Sequence, residues 1–200
     1  MKCAFRATLL GLALGCAATL ARADDGEKKL ELKVGDAVPA FESRTDSNST
    51  WSSAERFGKK WVVIYFYPGD FTPGCTAQAI AFRDAMNKLT EKGVEVVGVS
   101  GDSVQIHERF KKVQKLNFVL LSDEDGAVAK KFGVPFGKGA TVKARDEEKK
   151  PFEFARKGTA SRWTFIVGKD GKIAYKNVKV DPFQDAKKIA EFIAKADAGK

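Results

Sequence analysis

Residues 61–75 read Trp-Val-Val-Ile-Tyr-Phe-Tyr-Pro-Gly-Asp-Phe-Thr-Pro-Gly-Cys, and their order decides the fold. Trp61 to Tyr67 is an unbroken run of β-branched and aromatic residues ended by Pro68, long enough for a buried strand and too short for a core helix. From Pro73 onward Ala79, Phe82, Met86 and Leu89 recur at helical spacing until Gly93 stops the pattern, so a helix starts at or near Cys75. The sequence therefore predicts a central strand that gives way to a helix with Cys75 in its first turn.

Downstream the alternation continues. Val94 to Val99 reads as a second strand, and Asp102 with Gln105 supplies a capping-box-like start for a helix whose inner face is Ile106, Phe110 and Val113. Phe118 to Leu121 is a third strand, and Ser122 to Asp125 opens a short helix through Val128 and Phe132 that Gly133 closes. Strands alternating with helices imply parallel pairing. Phe136 to Ala160 carries Gly, Lys, Arg and Glu with little periodicity; it reads as a long exposed connection with one strand near Phe152 to Ala155, placed as a flap near the site. Arg162 to Val167, a turn at Lys169 to Gly171, and Lys172 to Lys176 form a hairpin. The last helix has Asp181 as cap, Pro182 at its first position and Gln184 at its third, with Ala186, Ile189 and Ile193 facing inward. Upstream, Leu30 to Phe41 with the polar stretch Asp46 to Ser53 reads as an edge ribbon and loop; Asn48-Ser49-Thr50 has glycosylation spacing, relevant only in a eukaryotic secretory route.

With 44% hydrophobic residues the chain has material for one core and no disordered bias, so one α/β domain over residues 24–200 is expected. The first 23 residues stand apart. Lys2 and Arg6 precede the uncharged run Ala7 to Leu20, and Ala21-Arg22-Ala23 is a small-x-small site before Asp24, the pattern of a secretory signal peptide. The run is shorter than the ~20 residues a spanning helix requires, so no stable membrane insertion is expected after cleavage. A lipoprotein, with Cys16 bearing the lipid, is a minor alternative because Ala13, Leu14 and Gly15 match such a site only in part. Periplasmic or secreted location follows as an expectation. Cleavage removes Cys3 and Cys16, leaving Cys75 as an unpaired thiol in an oxidising compartment, a liability unless it is buried or used. It also removes Lys2, Arg6 and Arg22, lowering the formal net charge from +9 to +6. The lysines are interleaved with Asp and Glu, as in Lys143 to Lys150, which reads as a solvated surface rather than a nucleic-acid site. With one histidine and one mature cysteine, no metal site of the usual ligand count is expected, and no Gly-rich phosphate loop stands out.

A free thiol has a pKa of about 8.5, and only the thiolate is strongly nucleophilic. First-turn N–H groups and the helix dipole favour negative charge, so a cysteine placed there is a candidate nucleophile, and the same N–H groups can hold an oxygen of a substrate.

Pro68-Gly69-Asp70-Phe71-Thr72-Pro73-Gly74-Cys75 resembles the Pro-x-x-x-Thr-x-x-Cys signature of the peroxiredoxins. The likeness extends through the Gly35-Asp36 leader, Phe82-Arg83-Asp84, Leu120-Leu121-Ser122-Asp123 and the strand at Arg162, and it looks most like the bacterioferritin-comigratory or PrxQ branch. The resemblance implies a thioredoxin-like fold, a central mixed sheet flanked by helices, and peroxidase activity without cofactor. It implies that Cys75 is the peroxidatic nucleophile, that the Thr72 hydroxyl meets thiolate and peroxide, that Pro68 shields the site, and that Arg162 stabilises thiolate and polarises peroxide. Gly74 adjoins the nucleophile, and Gln78, where many relatives carry Glu, is placed to orient Arg162. Many relatives carry a resolving cysteine five residues after the first; here that residue is Ile80, and Ala129 fills a later place used by others. An external thiol, a small molecule or a thioredoxin-like protein, is then the expected reductant.

Structural readings stand beside these. Cys75 reads otherwise as an inert core thiol, Thr72 as a helix cap, Pro68 as a strand end, Arg162 as a surface residue and Arg83 as an ion-pair partner. His107 lies outside its helix's apolar stripe and reads as surface or packing. A disulfide oxidoreductase is disfavoured because Cys75-Thr76-Ala77-Gln78 lacks a second cysteine. A redox-sensing or holdase module using the charged 136–160 segment is the rival function.

Overall fold

The computed structural model describes residues 31–198, so the leader with Cys3 and Cys16 lies outside the described residues. Strand β3 (Trp61–Phe66) is buried along its whole length. Its side chains alternate between two cores, Trp61, Val63 and Tyr65 on one face of the sheet and Val62, Ile64 and Phe66 on the other. A strand covered on both faces needs apolar residues at every position, which is why it reads as a continuous run. Each fully buried Val or Ile there contributes about 1.5–3 kcal/mol.

The described residues form strands β1 (Glu42–Thr45) and β2 (Thr50–Ser52), then β3, helix α1 (Pro73–Glu91), β4 (Val94–Ser100), α2 (Val104–Gln114), β5 (Val119–Ser122), α3 (Ala127–Lys131), β6 (Phe136–Arg145), β7 (Pro151–Ala160), β8 (Trp163–Val167), β9 (Ile173–Asn177) and α4 (Asp185–Ala198). The main sheet runs β2-β1-β5-β4-β3-β8-β9. β3, β4 and β5 are parallel, whereas β8 joins β3 antiparallel with Phe66 opposite Trp163. This mixed sheet has Phe82, Phe110 and Ile189 of α1, α2 and α4 in one core, and Val128 and Ala129 of α3 with Leu32, Phe41 and Trp51 in the other. It is the thioredoxin-like α/β architecture expected. Because β8 lies beside β3, the chain before Trp163 comes next to the chain after Phe66.

Four expectations need correction. Residues 136–160 are not an irregular connection but a two-stranded hairpin, β6 against β7, with Val142 opposite Phe154 and Lys143 opposite Glu153. Its turn is built by the Asp146 carboxylate, which accepts from the N–H groups of Glu148 and Lys150, with Lys149 at φ 63°. A turn made from Asp-Glu-Glu-Lys-Lys carries no Asn-Gly or Gly signal, so nothing marks the hairpin or β6, whereas the strand expected near Phe152 to Ala155 lies within β7. The second correction is Asp102: Ser103 occupies the cap position of α2, and Asp102 is buried with its carboxylate turned inward. The third is that α3 begins at Ala127, after a turn in which Asp123 accepts from Val128 and Ala129 N–H. Finally, α4 begins at Asp185, because Asp181 caps only a turn, accepting from Phe183 N–H, before the helix starts.

The hydroxyl of fully buried Tyr65 has no hydrogen-bond partner. Gly98 of β4 lies against that ring: a Cβ there would sit 2.7 Å from the hydroxyl oxygen and 3.0 Å from Leu120 Cδ2. Tyr65→Phe is expected to keep or raise stability by up to about 1 kcal/mol, because it removes an unsatisfied polar group. Gly98→Ala is expected to cost about 1–3 kcal/mol through overpacking. Urea denaturation midpoints check both.

Candidate active site

β3 ends at Phe66, and Pro68, half-buried and without an N–H, begins the loop that turns the chain into α1. Pro73 occupies the first helical position, where a missing N–H is harmless, and Cys75 is the third residue, 1% exposed. The first bond of the helix runs from Thr76 N–H to Thr72 O, 2.9 Å. The N–H groups of Gly74 and Cys75 precede it and have no intrahelical acceptor. Thr72 holds the cap position by its backbone, φ −93° and ψ 145°, but its hydroxyl caps nothing; it donates to Gly69 O at 3.0 Å. The hydroxyl therefore pins the loop.

Arg162, immediately before β8, donates from Nη2 to Cys75 Sγ at 3.1 Å and from Nη1 to Gln78 Oε1 at 2.5 Å. Gln78 lies one turn beyond Cys75 on the same helix face and is fully buried. Its amide nitrogen donates to Asp185 Oδ2 at 2.7 Å, and the Thr164 hydroxyl donates to the same oxygen at 2.7 Å. Gly74 lies beside the guanidinium, where a Cβ would also fit, making ordinary contacts at 3.5 Å to Arg162 Nη2 and 3.6 Å to Pro182 Cγ. A cation, the open end of a helix and a buried sulfur thus converge, so that donors face the sulfur from two sides.

The loop between Pro68 and Thr72 is held from beneath by buried charges. Asp70 receives the Tyr67 hydroxyl at 2.7 Å on one oxygen and faces His107 Nδ1 at 2.8 Å with the other. His107 Nε2 faces Leu121 O at 3.2 Å. Both ring nitrogens meet acceptors, the pattern of an imidazolium. Burial opposes its charge, but Asp70 first, and Asp102 after it, raise His107 above its ordinary value. Asp102 accepts from Asp70 N–H at 2.8 Å, from Ser100 Oγ at 2.7 Å and from Arg156 Nε at 2.7 Å. Burial, then the charge of Asp70, pushes the Asp102 carboxyl up, and His107 and Arg156 draw it back. Arg156 comes from β7 and also donates to Asp70 O at 2.8 Å. The fit is close: a Cβ on Gly69, at φ 152°, would lie 2.0 Å from Arg156 Cζ. Phe71, at φ 60°, is held in that uncommon conformation between Phe110, Phe152 and Phe154 at ring distances of 5.1, 5.3 and 6.0 Å.

Arg162 therefore touches both Cys75 and Gln78, with Gly74 beside it and Thr72 and Pro68 on the adjoining loop. Arg83 binds Asp84 at 2.8 Å and Gln114 O at 2.8 Å, a structural role. His107 is not at the surface: it is fully buried because Asp70 gives it a counter-charge. Sequence reading missed Asp70, Asp102, Arg156 and Asp185. Asp70 stood inside the signature loop, where an acid between two apolar neighbours was a signal; the other three reach the site only through tertiary contacts. Cys75 is the one free cysteine among the described residues, and the places of the relatives' second cysteines hold half-buried Ile80 and buried Ala129.

The AhpC/TSA family model matches residues 34–176. The chain is 40% identical over 161 residues to a chloroplastic peroxiredoxin Q of Oryza sativa subsp. japonica, which covers 80% of this chain and 65% of that protein. It thus spans less than two thirds of the length of that plant relative. A Coxiella burnetii protein named peroxiredoxin bcp is 39% identical over 154 residues, 76% of this chain and 93% of that one. Among solved structures, peroxidoxin BcpB of Mycobacterium tuberculosis superposes with a TM-score of 0.68 at 29% identity, covering 82% of this chain and 98% of that chain. The bacterioferritin comigratory protein of Xanthomonas campestris superposes at 0.65 with 26% identity, covering 80% and 99%.

A group whose folded pKa is raised stabilises the fold below its unfolded value and loses that contribution as pH rises through the folded value. His107 is therefore expected to contribute fully below about pH 6.5 and progressively less above it. Unfolding free energies measured across neutral and alkaline pH should fall with rising pH, and His107→Gln should lose that part of the slope.

Proposed function

The chain belongs to the AhpC/TSA family, as a peroxiredoxin of the Q and bcp type, and from that premise we propose that it is a thiol-dependent peroxidase reducing hydrogen peroxide and organic hydroperoxides at Cys75. The observation that carries this reading is the Arg162 guanidinium 3.1 Å from a sulfur in the first turn of a helix. The Xanthomonas campestris relative is described by its alkyl peroxide reduction activity, which supports extending the substrate class to organic hydroperoxides.

In the proposed reaction the Cys75 thiolate attacks the terminal oxygen of ROOH. An S–O bond forms, the O–O bond breaks, and RO⁻ leaves as ROH after taking a proton. Cysteine is oxidised to sulfenic acid and the peroxide is reduced by two electrons. Arg162 and the first-turn N–H groups stabilise the charge as it passes from sulfur to the leaving oxygen. Pro68 closes the strand end of the loop, and Thr72, whose hydroxyl donates to Gly69 O, pins that loop where it leads into the helix carrying Cys75. Gln78 holds the second amine of Arg162. With Ile80 and Ala129 at the relatives' cysteine positions, an external thiol attacks the sulfenic sulfur, releasing water and leaving a mixed disulfide. A second thiol then frees Cys75. The leader pattern of residues 1–23 supports export, so the reductant belongs outside the cytoplasm, in a periplasmic or secreted setting.

Stopped-flow mixing of reduced protein with hydrogen peroxide should show sulfenic acid forming far faster than on a free thiol. Mass spectrometry should find one added oxygen and no internal disulfide in the form lacking residues 1–23. Cys75→Ser should abolish the reaction, and Arg162→Ala should slow it by about 100-fold or more, the usual cost of removing a charge-stabilising donor. A rate matching a free thiol would leave the sensing or holdase module as the better reading.

A further inference from the structure

Asp185 is a buried carboxylate that nothing in the signature anticipates. It is 1% exposed at the first position of α4, and lies 107 residues along the chain from the Gln78 it binds. The helix N-terminus favours its negative charge. One oxygen, Oδ2, receives both Gln78 Nε2 and Thr164 Oγ1, while Oδ1 is buried without a hydrogen-bond partner. Buried acceptors are ordinarily satisfied, so the fold keeps this residue at a cost in stability.

A glutamine amide has a donor end and an acceptor end, and in a neutral pocket either can face either way. Here the two neighbours differ in kind. The guanidinium of Arg162 only donates, and Asp185 Oδ2 accepts twice. Turning the amide over would set N–H against N–H on one side and oxygen against oxygen on the other. We propose that Asp185 is a positioning residue for the reaction at Cys75: it fixes the Gln78 amide so that its carbonyl receives Arg162 Nη1, which aims Nη2 at the sulfur.

The lock holds in either protonation state. Burial raises the Asp185 carboxyl above its ordinary range, opposed by the bonds from Thr164 and Gln78 and by the charges of Arg162 and Lys188. A proton, when taken up, has the unpartnered Oδ1 to occupy and leaves Oδ2 an acceptor. Tyr65 and Tyr175 are the other titratable groups facing this carboxylate. The arrangement also separates charges. Among the described residues Arg162 forms no ion pair; its contact is the neutral Gln78 amide, and the counter-charge lies one side chain farther away. The cation therefore meets the sulfur without a carboxylate pressed against it, as a glutamate at position 78 would be.

The inference rests on the peroxidase reading for its effect on rate, but its test has a readout independent of peroxide. The fraction of Cys75 present as thiolate can be followed against pH by absorbance near 240 nm and by iodoacetamide alkylation. A carboxylate that is merely nearby repels a thiolate, so its removal would shift the thiolate midpoint down. A positioning carboxylate gives the opposite sign. Asp185→Ala is expected to move the midpoint up by about one pH unit and to slow peroxide reaction at neutral pH about tenfold. Gln78→Met should do the same, and the double variant should be no worse than either, because both break one link. If Asp185→Ala does not fold, Asp185→Asn, which can turn its amide either way, supplies the sign at smaller amplitude. A midpoint that stays put or falls in the folded variants, or effects that add, overturns the proposal. Slow peroxide reaction in the wild type with the midpoint shift intact would sink the peroxidase reading alone.

Discussion

A cation brought against a buried sulfur is the interaction on which the rest of this structure depends. Arg162 and Cys75 sit at facing ends of neighbouring antiparallel and parallel connections: the residue before β8 lies beside the residues after β3 because Phe66 pairs with Trp163. The sheet therefore does more than form a core. Its register sets how far the guanidinium stands from the helix that carries the thiol. A one-residue slip of β8 would turn every side chain of that strand to the opposite face and carry Arg162 away from the sulfur.

The loop from Pro68 to Thr72 meets the opposite demand. It must be short enough to pass from strand to helix, yet it includes Phe71 at φ 60°, an uncommon conformation for a bulky residue, beside Gly69 at φ 152°, which glycine adopts readily. The molecule supplies support through paired charges: Asp70 with His107, and Asp102 with Arg156. Buried pairs of this kind are weak contributors to stability in themselves, since desolvation consumes much of the attraction. Their effect is on shape. Arg156 donates to Asp102 and to the Asp70 carbonyl at once, so the hairpin and the loop cannot shift independently.

Much of this was legible in the amino-acid order, and the parts that were not share a cause. Central strands and amphipathic helices announce themselves because the burial of each residue follows a local period, as in Trp61 to Phe66 or Ala79, Phe82 and Met86. Cys75, Thr72 and Pro68 sit within eight residues of one another, and Arg162 opens an apolar strand. Apart from the strand near Phe152 to Ala155, the hairpin at 136–160 escaped because its stripe is made of small residues and isolated aromatics, Ala140, Val142, Ala144, Phe152 and Phe154, among charges that mimic a solvated loop. His107 reads as surface or packing because helical periodicity scores apolarity, while its burial depends on Asp70, on a different element. Asp102 looked like a cap because acids before helices usually are. Asp185 lies in a terminal helix whose apolar face, Ala186, Ile189 and Ile193, is plain from its spacing, and nothing local says that the acid beside that face points inward as well.

The contacts around the sulfur also span the chain. Arg162 and Cys75 are 87 residues apart, Asp70 and Arg156 are 86 apart, and Gln78 meets a residue of the last helix. Loop-closure entropy makes such long-range contacts the late ones in folding. A chain that has made β3, α1 and β4 but has not yet docked β8 and α4 carries an ordinary cysteine, with no cation beside it. The sulfur thus acquires its cation only on completion of the fold. The integrity of that one contact therefore reports on the docking of the whole chain, because no single segment can make it alone.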